Sequence, residues 1–216
     1  HHYRKNDIDG ERIVALSEDA LFVGFSSLTG GMLRSALELS RQIKDAHGAS
    51  MPVVWGGVHA TMSPATCLRE QSIDYVIQGE GELAISKLAD YIRNQRTETA
   101  ASIPGLAYKD NGVLKLNPRE IIKDIEPFEY AWDLIDVEEY IRPQFGYQRT
   151  LNYISSRGCP FNCTFCYNLF FNGRRWRGWS AKKVIEDIRQ LKKKHDIEAV
   201  YFHDDYFFGN RRRADE

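Results

Sequence analysis

The amino-acid sequence predicts an α/β protein: a parallel sheet with helices between its strands, followed by the start of a second α/β unit. Three observations lead there. Short apolar runs, "ALFVGFS" at 20–26, "MPVVWGG" at 51–57 and "IDYVIQGEGE" at 73–82, alternate with segments of helical period. The same alternation resumes at "TLNYIS" (150–155), "SAKKVIEDIRQLKKKHD" (180–196) and "EAVYFHDD" (198–205). With 216 residues and 43% hydrophobic content, the chain has enough apolar side chains for one large core or two small ones.

Taken in order, residues 20–26 read as a buried strand. In "GGMLRSALELSRQIKDAHG", Leu33, Ala36, Leu37, Ser40 and Ile43 fall on one helical face, and Gly48 supplies the stop. Residues 51–57 read as the next strand, closed by Gly56 and Gly57. "SPATCLREQ" predicts a short helix with Pro64 in its first turn, and 73–82 a third strand turning into a helix over 82–94. "LAYKDNGVLKL" (106–116) is a hairpin around Asn111-Gly112, because both turn positions tolerate positive φ. Residues 117–148 hold Pro118, Pro127 and Pro143 without a sustained period and read as a connector that packs on something larger. Ser180 is the expected N-cap of the last long helix. The expected division is therefore 1–117, a connector over 118–148, and 149–216. Each strand of the first sheet ends in a small or glycine-rich loop, and the carboxyl ends of parallel strands are where such sheets bind ligands.

Charge excludes some classes. Lys and Arg total 29 against 30 Asp and Glu, so no overall bias favours nucleic acid or an anionic membrane. "NGRRWRGWS" (172–180) interleaves arginines with two tryptophans, but so short a run is better explained by arginines paired to acids of the connector while the tryptophans pack. "RRR" at 211–213 reads as a solvated turn or helix start. No apolar run approaches the ~18 residues that a membrane helix needs, and the expected compartment is the cytoplasm, where thiols stay reduced.

That matters for "CPFNCTFC". Cys159, Cys163 and Cys166 make a C-x3-C-x2-C spacing on a segment with no helical or strand period. Ligands two or three residues apart let one loop wrap a compact metal centre. Zinc ordinarily takes four protein ligands in two separated pairs, and no second pair stands near; an electron-transfer cluster would also take four cysteines. Three thiolates on a cubane leave one iron open for a substrate or cofactor. Cys67, far upstream, reads as a small apolar helix residue.

The stretch resembles the cluster motif of the radical S-adenosylmethionine superfamily, with Phe165 at its aromatic position. The resemblance implies a 4Fe-4S cluster on the three cysteines and S-adenosylmethionine on its open iron, in a loop after the first strand of a partial (βα)6 barrel like a TIM barrel. It further implies that Phe165, Tyr167 and Asn168 lie near the adenine and that Asp204 or Asp205 contacts the cofactor. Upstream, Ser26, Ser27 and Leu28, then Gly56 and Gly57 after 27 intervening residues, resemble the serine and paired-glycine loops of Rossmann-like cobalamin-binding domains. "GFSSLTG", "VVWGGVHAT" and "DYVIQGEGE" are similar to the cobalamin-dependent radical S-adenosylmethionine class that contains the anaerobic magnesium-protoporphyrin ester cyclase and many methyltransferases. That likeness implies corrin contacts from Ser26, Ser27, Leu28, Gly56, Gly57, His59, Gly79, Glu80 and Gly81. His59 is read as a loop histidine bonded to backbone in preference to a cobalt ligand. The D-x-H-x-x-G part of the cobalamin signature has no counterpart here, because the sequence begins 25 residues before Ser26.

The function so implied is enzymatic: methyl transfer to an unactivated carbon, or oxidative cyclisation, of a small-molecule or macrocyclic substrate, with electrons from a donor such as flavodoxin or ferredoxin. The alternative is a non-catalytic module that binds an iron-sulfur cluster and a corrin; a zinc-binding interaction protein is a third reading.

Overall fold

The computed structural model describes residues 10–94 and 99–216, and the chain divides into two compact units between Ile121 and Ile122.

In the first unit, helix α1 (Gly10–Leu16) leads to strand β1 (Val23–Ser26), helix α2 (Gly31–His47) and strand β2 (Val53–Gly56). Two short helices, α3 (Gly57–Met62) and α4 (Pro64–Cys67), precede strand β3 (Tyr75–Ile77), and α5 (Glu82–Arg93) leads to the hairpin β4 (Leu106–Asp110) and β5 (Val113–Leu116). The five strands lie in the order β1-β2-β3-β4-β5. The first three are parallel, and β4 and β5 run antiparallel. The hairpin turns at Asn111 and Gly112, with φ of 49° and 80°, which is the left-handed pair that a two-residue turn demands.

The period of two along the central strands sorts the core into two layers. Val53, Trp55 and Val76 pack with Ile43, Leu68 and Ile73 on one face. Val54, Tyr75 and Ile77 pack with Ala84, Leu88 and Leu106 on the other. β2 is buried on both sides, which is why its sequence is an unbroken apolar run. A polar contact deep in this core is satisfied: Trp55 donates from Nε1 to Ser40 Oγ at 3.0 Å, and Ser40 in turn donates to the Ala36 carbonyl at 2.7 Å.

Two expectations are corrected here. β1 is not a buried strand: among the described residues it hydrogen-bonds only to β2 at the sheet edge, and its residues alternate half-buried and exposed. "GGVHAT" is not a loop but the body of α3, started directly by Gly56 and Gly57.

The second unit opens with residues 122–141, which supply Ile125, Val137 and Ile141 to its core together with Leu151, Tyr153, Trp179, Val184, Leu191 and Ile197. The stretch read as a connector that packs on something larger does pack into this core, and it ends in a strand of its own. This is β6 (Arg142–Gln144), which pairs antiparallel with β7 (Tyr147–Tyr153). After β7 come β8 (Ser156–Arg157), α6 (Asn168–Phe171), β9 (Arg177–Gly178), α7 (Ala181–His195), β10 (Ala199–Phe202) and α8 (Arg211–Asp215). β10 pairs parallel with β7, so β7-α7-β10 forms a βαβ unit. Ser180 caps α7 by accepting from Lys183 N at 3.2 Å and donates its hydroxyl proton to Glu126 at 2.7 Å. In "NGRRWRGWS", Arg177 donates to the Ile122 carbonyl at 2.7 Å and to Asn172 at 2.6 Å, while Trp179 is buried.

Candidate functional site

The register of β1 on β2 sets Ser26 beside Gly56, so the serine loop and the paired-glycine turn leave the sheet at the same carboxyl edge. Ser27 is buried and reaches across that edge: its amide and its hydroxyl both donate to the Gly56 carbonyl, at 2.8 and 2.9 Å. His59 N returns a bond to the Ser27 carbonyl at 3.0 Å, and the His59 ring Nδ1 meets Thr29 Oγ1 at 3.0 Å. His59 is thereby held by a side chain of the serine loop, and not by backbone as expected. The two loops leave no room between them. Gly57 has φ of 84°, and a Cβ there would stand 2.8 Å from both Ser27 N and Ser27 O. Gly56 carries no such demand, since a Cβ would lie 3.9 Å from its nearest neighbour, the Ile77 carbonyl. Only the second glycine is required by backbone geometry.

The third loop is tied in by a residue that sequence reading missed. Thr61, fully buried on α3, accepts from Gly79 N at 2.8 Å, which fixes the left-handed Gly79 (φ 86°) against the helix that starts at Gly57. Glu80 and Gly81 continue this loop into α5, and Gly81 has an ordinary negative φ. Large apolar side chains stay exposed at the starts of α2 and α5 and in the serine loop: Leu28 at 52%, Met32, Leu83 at 48% and Ile85. A polar, glycine-lined edge rimmed with exposed apolar groups suits a large, flat ligand with a polar tail.

In the second unit, residues 158–167 form no helix or strand. All three cysteines of this loop are free thiols, Cys163 exposed and Cys159 and Cys166 half-buried. One turn orders the loop interior, Cys166 N donating to the Cys163 carbonyl at 3.0 Å. Among the described residues no three His, Cys, Asp or Glu side chains converge as a metal site. The donor set itself fits an iron-sulfur cluster, with three reduced thiols on one irregular loop free to wrap it.

The entrance of this loop is held from the end of β10. Asp204 accepts from Ser155 N at 3.1 Å, from Ser155 Oγ at 2.9 Å and from Ser156 Oγ. Arg213, seated over the rings of Trp176 and Phe207, donates to the Ser155 carbonyl at 2.8 Å. Burial pulls the Arg213 guanidinium below its ordinary value. Asp205 accepts from Gly158 N at 3.0 Å and from the Tyr167 hydroxyl at 3.2 Å. Burial, then the Asp205 charge, push the Tyr167 phenol up to about 12. Gly158 has φ of 85° and faces the Arg175 carbonyl so closely that a Cβ cannot fit. Asn168 is buried, its oxygen taken by the Asn172 amide at 2.6 Å. Phe165 stands 92% exposed. Ser155, Ser156, Gly158, Asn172 and Arg213 had no sequence signal beyond adjacency to the cysteines or to the arginine run.

Residues 2–89 match the B12 binding domain family. The chain is 35% identical over 201 residues to an uncharacterised methyltransferase of Pyrococcus horikoshii, covering 91% of this chain and 42% of that protein. It is 28% identical to the anaerobic magnesium-protoporphyrin IX monomethyl ester cyclase of Synechocystis, covering 87% of this chain and 37% of that protein. It therefore spans about two fifths of the length of these relatives. Among solved structures, the radical S-adenosylmethionine methyltransferase TsrM of Kitasatospora setae superposes with a TM-score of 0.67 at 20% identity, over 95% of this chain and 40% of that one. The cobalamin-dependent S-adenosylmethionine radical enzyme OxsB superposes with a TM-score of 0.68 at 23% identity, over 93% and 28%. At these identities the two structures speak for the fold. The first unit thus carries a B12 binding domain match, and the likeness to proteins named as methyltransferases and as the magnesium-protoporphyrin ester cyclase runs through both units.

Proposed function

We propose that this chain is the cofactor-binding part of an enzyme that uses cobalamin, a 4Fe-4S cluster and S-adenosylmethionine to transfer a methyl group to an unactivated carbon or to close a ring oxidatively. The observation that carries the reading is the free three-thiol loop at the carboxyl end of β7 in a chain whose first unit matches a B12 binding domain. OxsB is described with aqua-cobalamin and S-adenosylmethionine bound, and TsrM with tryptophan and an S-adenosylmethionine analogue.

In this reading Cys159, Cys163 and Cys166 hold the cluster as thiolates, and Tyr167 and Asn168 line the loop's exit. Phe165, exposed and unpacked, is available to cover an adenine. Ser26, Gly57 and Gly79 lie at the first sheet's carboxyl edge, where Ser27 ties the serine loop to Gly56, with Leu28, Gly56, His59, Glu80 and Gly81 completing the corrin-facing loops. The reduced cluster, when bound, supplies the electron that cleaves S-adenosylmethionine to a 5'-deoxyadenosyl radical. The substrate is a small molecule or macrocycle, and the electron donor a flavodoxin or ferredoxin. No helix among the described residues is long and apolar enough to cross a membrane.

Anaerobic reconstitution of the full-length protein with iron, sulfide and hydroxocobalamin tests this. Reduction with S-adenosylmethionine is expected to release 5'-deoxyadenosine, and Cys163→Ala is expected to abolish it. Stoichiometric zinc with no cluster overturns the reading, and loss of the corrin on gel filtration overturns the assignment of the first unit.

A further inference from the structure

We propose that Asp205 is a positioning residue that fastens the two ends of the cysteine loop to one carboxylate. Its Oδ2 accepts from Gly158 N, one residue before Cys159, at 3.0 Å; its Oδ1 accepts from the Tyr167 hydroxyl, one residue after Cys166, at 3.2 Å. A single side chain on the end of β10 therefore brackets the whole segment that carries the three thiols. The partners lie 47 and 38 residues away in sequence, so the bracket closes only when β10 has paired with β7.

The division of labour within the acidic pair supports this role. Asp204 is committed to Ser155 and Ser156, upstream of the loop. That leaves Asp205 as the acid that touches both ends of the loop itself. The bond to the backbone N–H survives side-chain motion in the loop, while the bond from Tyr167 depends on one phenol. Between the two anchored ends, the described contacts are the turn at Cys163–Cys166, a long bond from Leu169 N to the Cys166 carbonyl at 3.4 Å, a long contact from Arg174 to the Pro160 carbonyl at 3.4 Å, and the Phe161 ring edge-on to Tyr206 at 5.1 Å. The loop thus combines fixed ends with a middle held by one ring contact and long bonds, and with Cys163 exposed. Such an arrangement keeps Cys159 and Cys166 near their final places while Cys163 closes on a cluster, and it lowers the entropy lost on assembly.

The consequence for the cluster rests on the reading given under Proposed function; the bracket itself is read on the metal-free protein. The experiment is alkylation of the metal-free, reduced chain by a neutral maleimide, with each cysteine followed by peptide mass spectrometry. Asp205→Ala is expected to speed Cys159 and Cys166 about tenfold, as loss of charge-assisted bonds that close a local segment would do, and to leave Cys163 within about twofold. Tyr167→Phe keeps the carboxylate charge and is expected to speed Cys166 alone, which separates tethering from an electrostatic effect on the thiols. Asp205→Asn, with one carbonyl oxygen to accept, is expected to fall between wild type and Asp205→Ala. Near-ultraviolet circular dichroism of the Trp132 and Trp179 cluster reports whether each variant is folded. If Asp205→Ala unfolds the unit, Tyr167→Phe and Asp205→Asn still decide the matter. Reconstitution is the second arm: the electron paramagnetic resonance spectrum of the reduced cluster is expected to broaden in Asp205→Ala and to regain the wild-type line shape in Asp205→Asn. Equal acceleration of all three cysteines, or none, overturns the bracket. A wild-type chain that assembles no cluster, yet shows the selective acceleration, upholds the bracket and counts against the proposed function instead.

Discussion

Replacing Gly57 by alanine isolates the contact between the serine loop and the paired-glycine turn. Two costs combine. A non-glycine residue at φ of 84° loses roughly 1–2 kcal/mol to the left-handed backbone. The new methyl also meets Ser27 N and O at 2.8 Å and Ser26 Oγ at 3.0 Å, and forcing such an overpacked contact costs about 1–3 kcal/mol. The expected loss is therefore about 2–5 kcal/mol, a large share of the ~5–15 kcal/mol that stabilises an ordinary domain. Gly112 provides the comparison within the same unit: its φ is 80°, but nothing lies within 4 Å of a Cβ there. Gly112→Ala should lose only the backbone part, ~1–2 kcal/mol. Urea-dependent amide hydrogen exchange of β2 reads the first unit separately from the second, so the two variants can be ranked by the shift in their exchange free energies. Gly57→Ala losing no more than Gly112→Ala would refute the argument, because it would mean that the two loops do not press on one another. Corrin retention should follow the same order, falling for Gly57→Ala and holding for Gly112→Ala.

Other perturbations have defined outcomes. Leu88 is fully buried between α5 and the sheet, so Leu88→Ala should cost about 2–5 kcal/mol in equilibrium unfolding of the first unit; a loss below ~1 kcal/mol would show that this layer is not packed as described. Ser180→Ala removes the N-cap of α7 and its link to Glu126, and should lower stability of the second unit by ~1 kcal/mol, with amide exchange quickening first in the opening turn of α7. Glu138 accepts from Arg149 at 2.7 Å and meets His195 Nδ1 at 3.2 Å; the Arg149 hydrogen bond holds its carboxyl below the ordinary range. A lowered folded-state value stabilises above the unfolded value, about 4.3, and is lost as pH falls through and below it. Glu138→Gln should therefore weaken the second unit at neutral pH and flatten its acid limb, the two urea-midpoint curves converging at low pH; parallel curves would remove Glu138 from that limb.

The sequence by itself determined what depends on local period and local chemistry. The alternation of buried β2 with amphipathic α2 and α5 follows from side-chain repeats of two and 3.6 residues, and the turn at Asn111 and Gly112 from residues that tolerate positive φ. Ser180 announces its helix because a cap acts within three residues, and three cysteines within eight positions announce a shared ligand. Exposure of β1 was not legible, because an apolar run is the same string at an edge or in the centre of a sheet. That the proline-broken stretch packs could be read, but not that Ile125, Val137 and Ile141 are the residues that do so, since three prolines break any period that would reveal a buried face. The acidic pair marks the clearest boundary. Asp204 and Asp205 are visible as neighbours at a strand end, but their division of the work is set by β10 pairing with β7. Tertiary structure alone decided which serines, which amide and which phenol they meet, because hydrogen bonds spanning 38 to 49 residues leave no trace in local sequence.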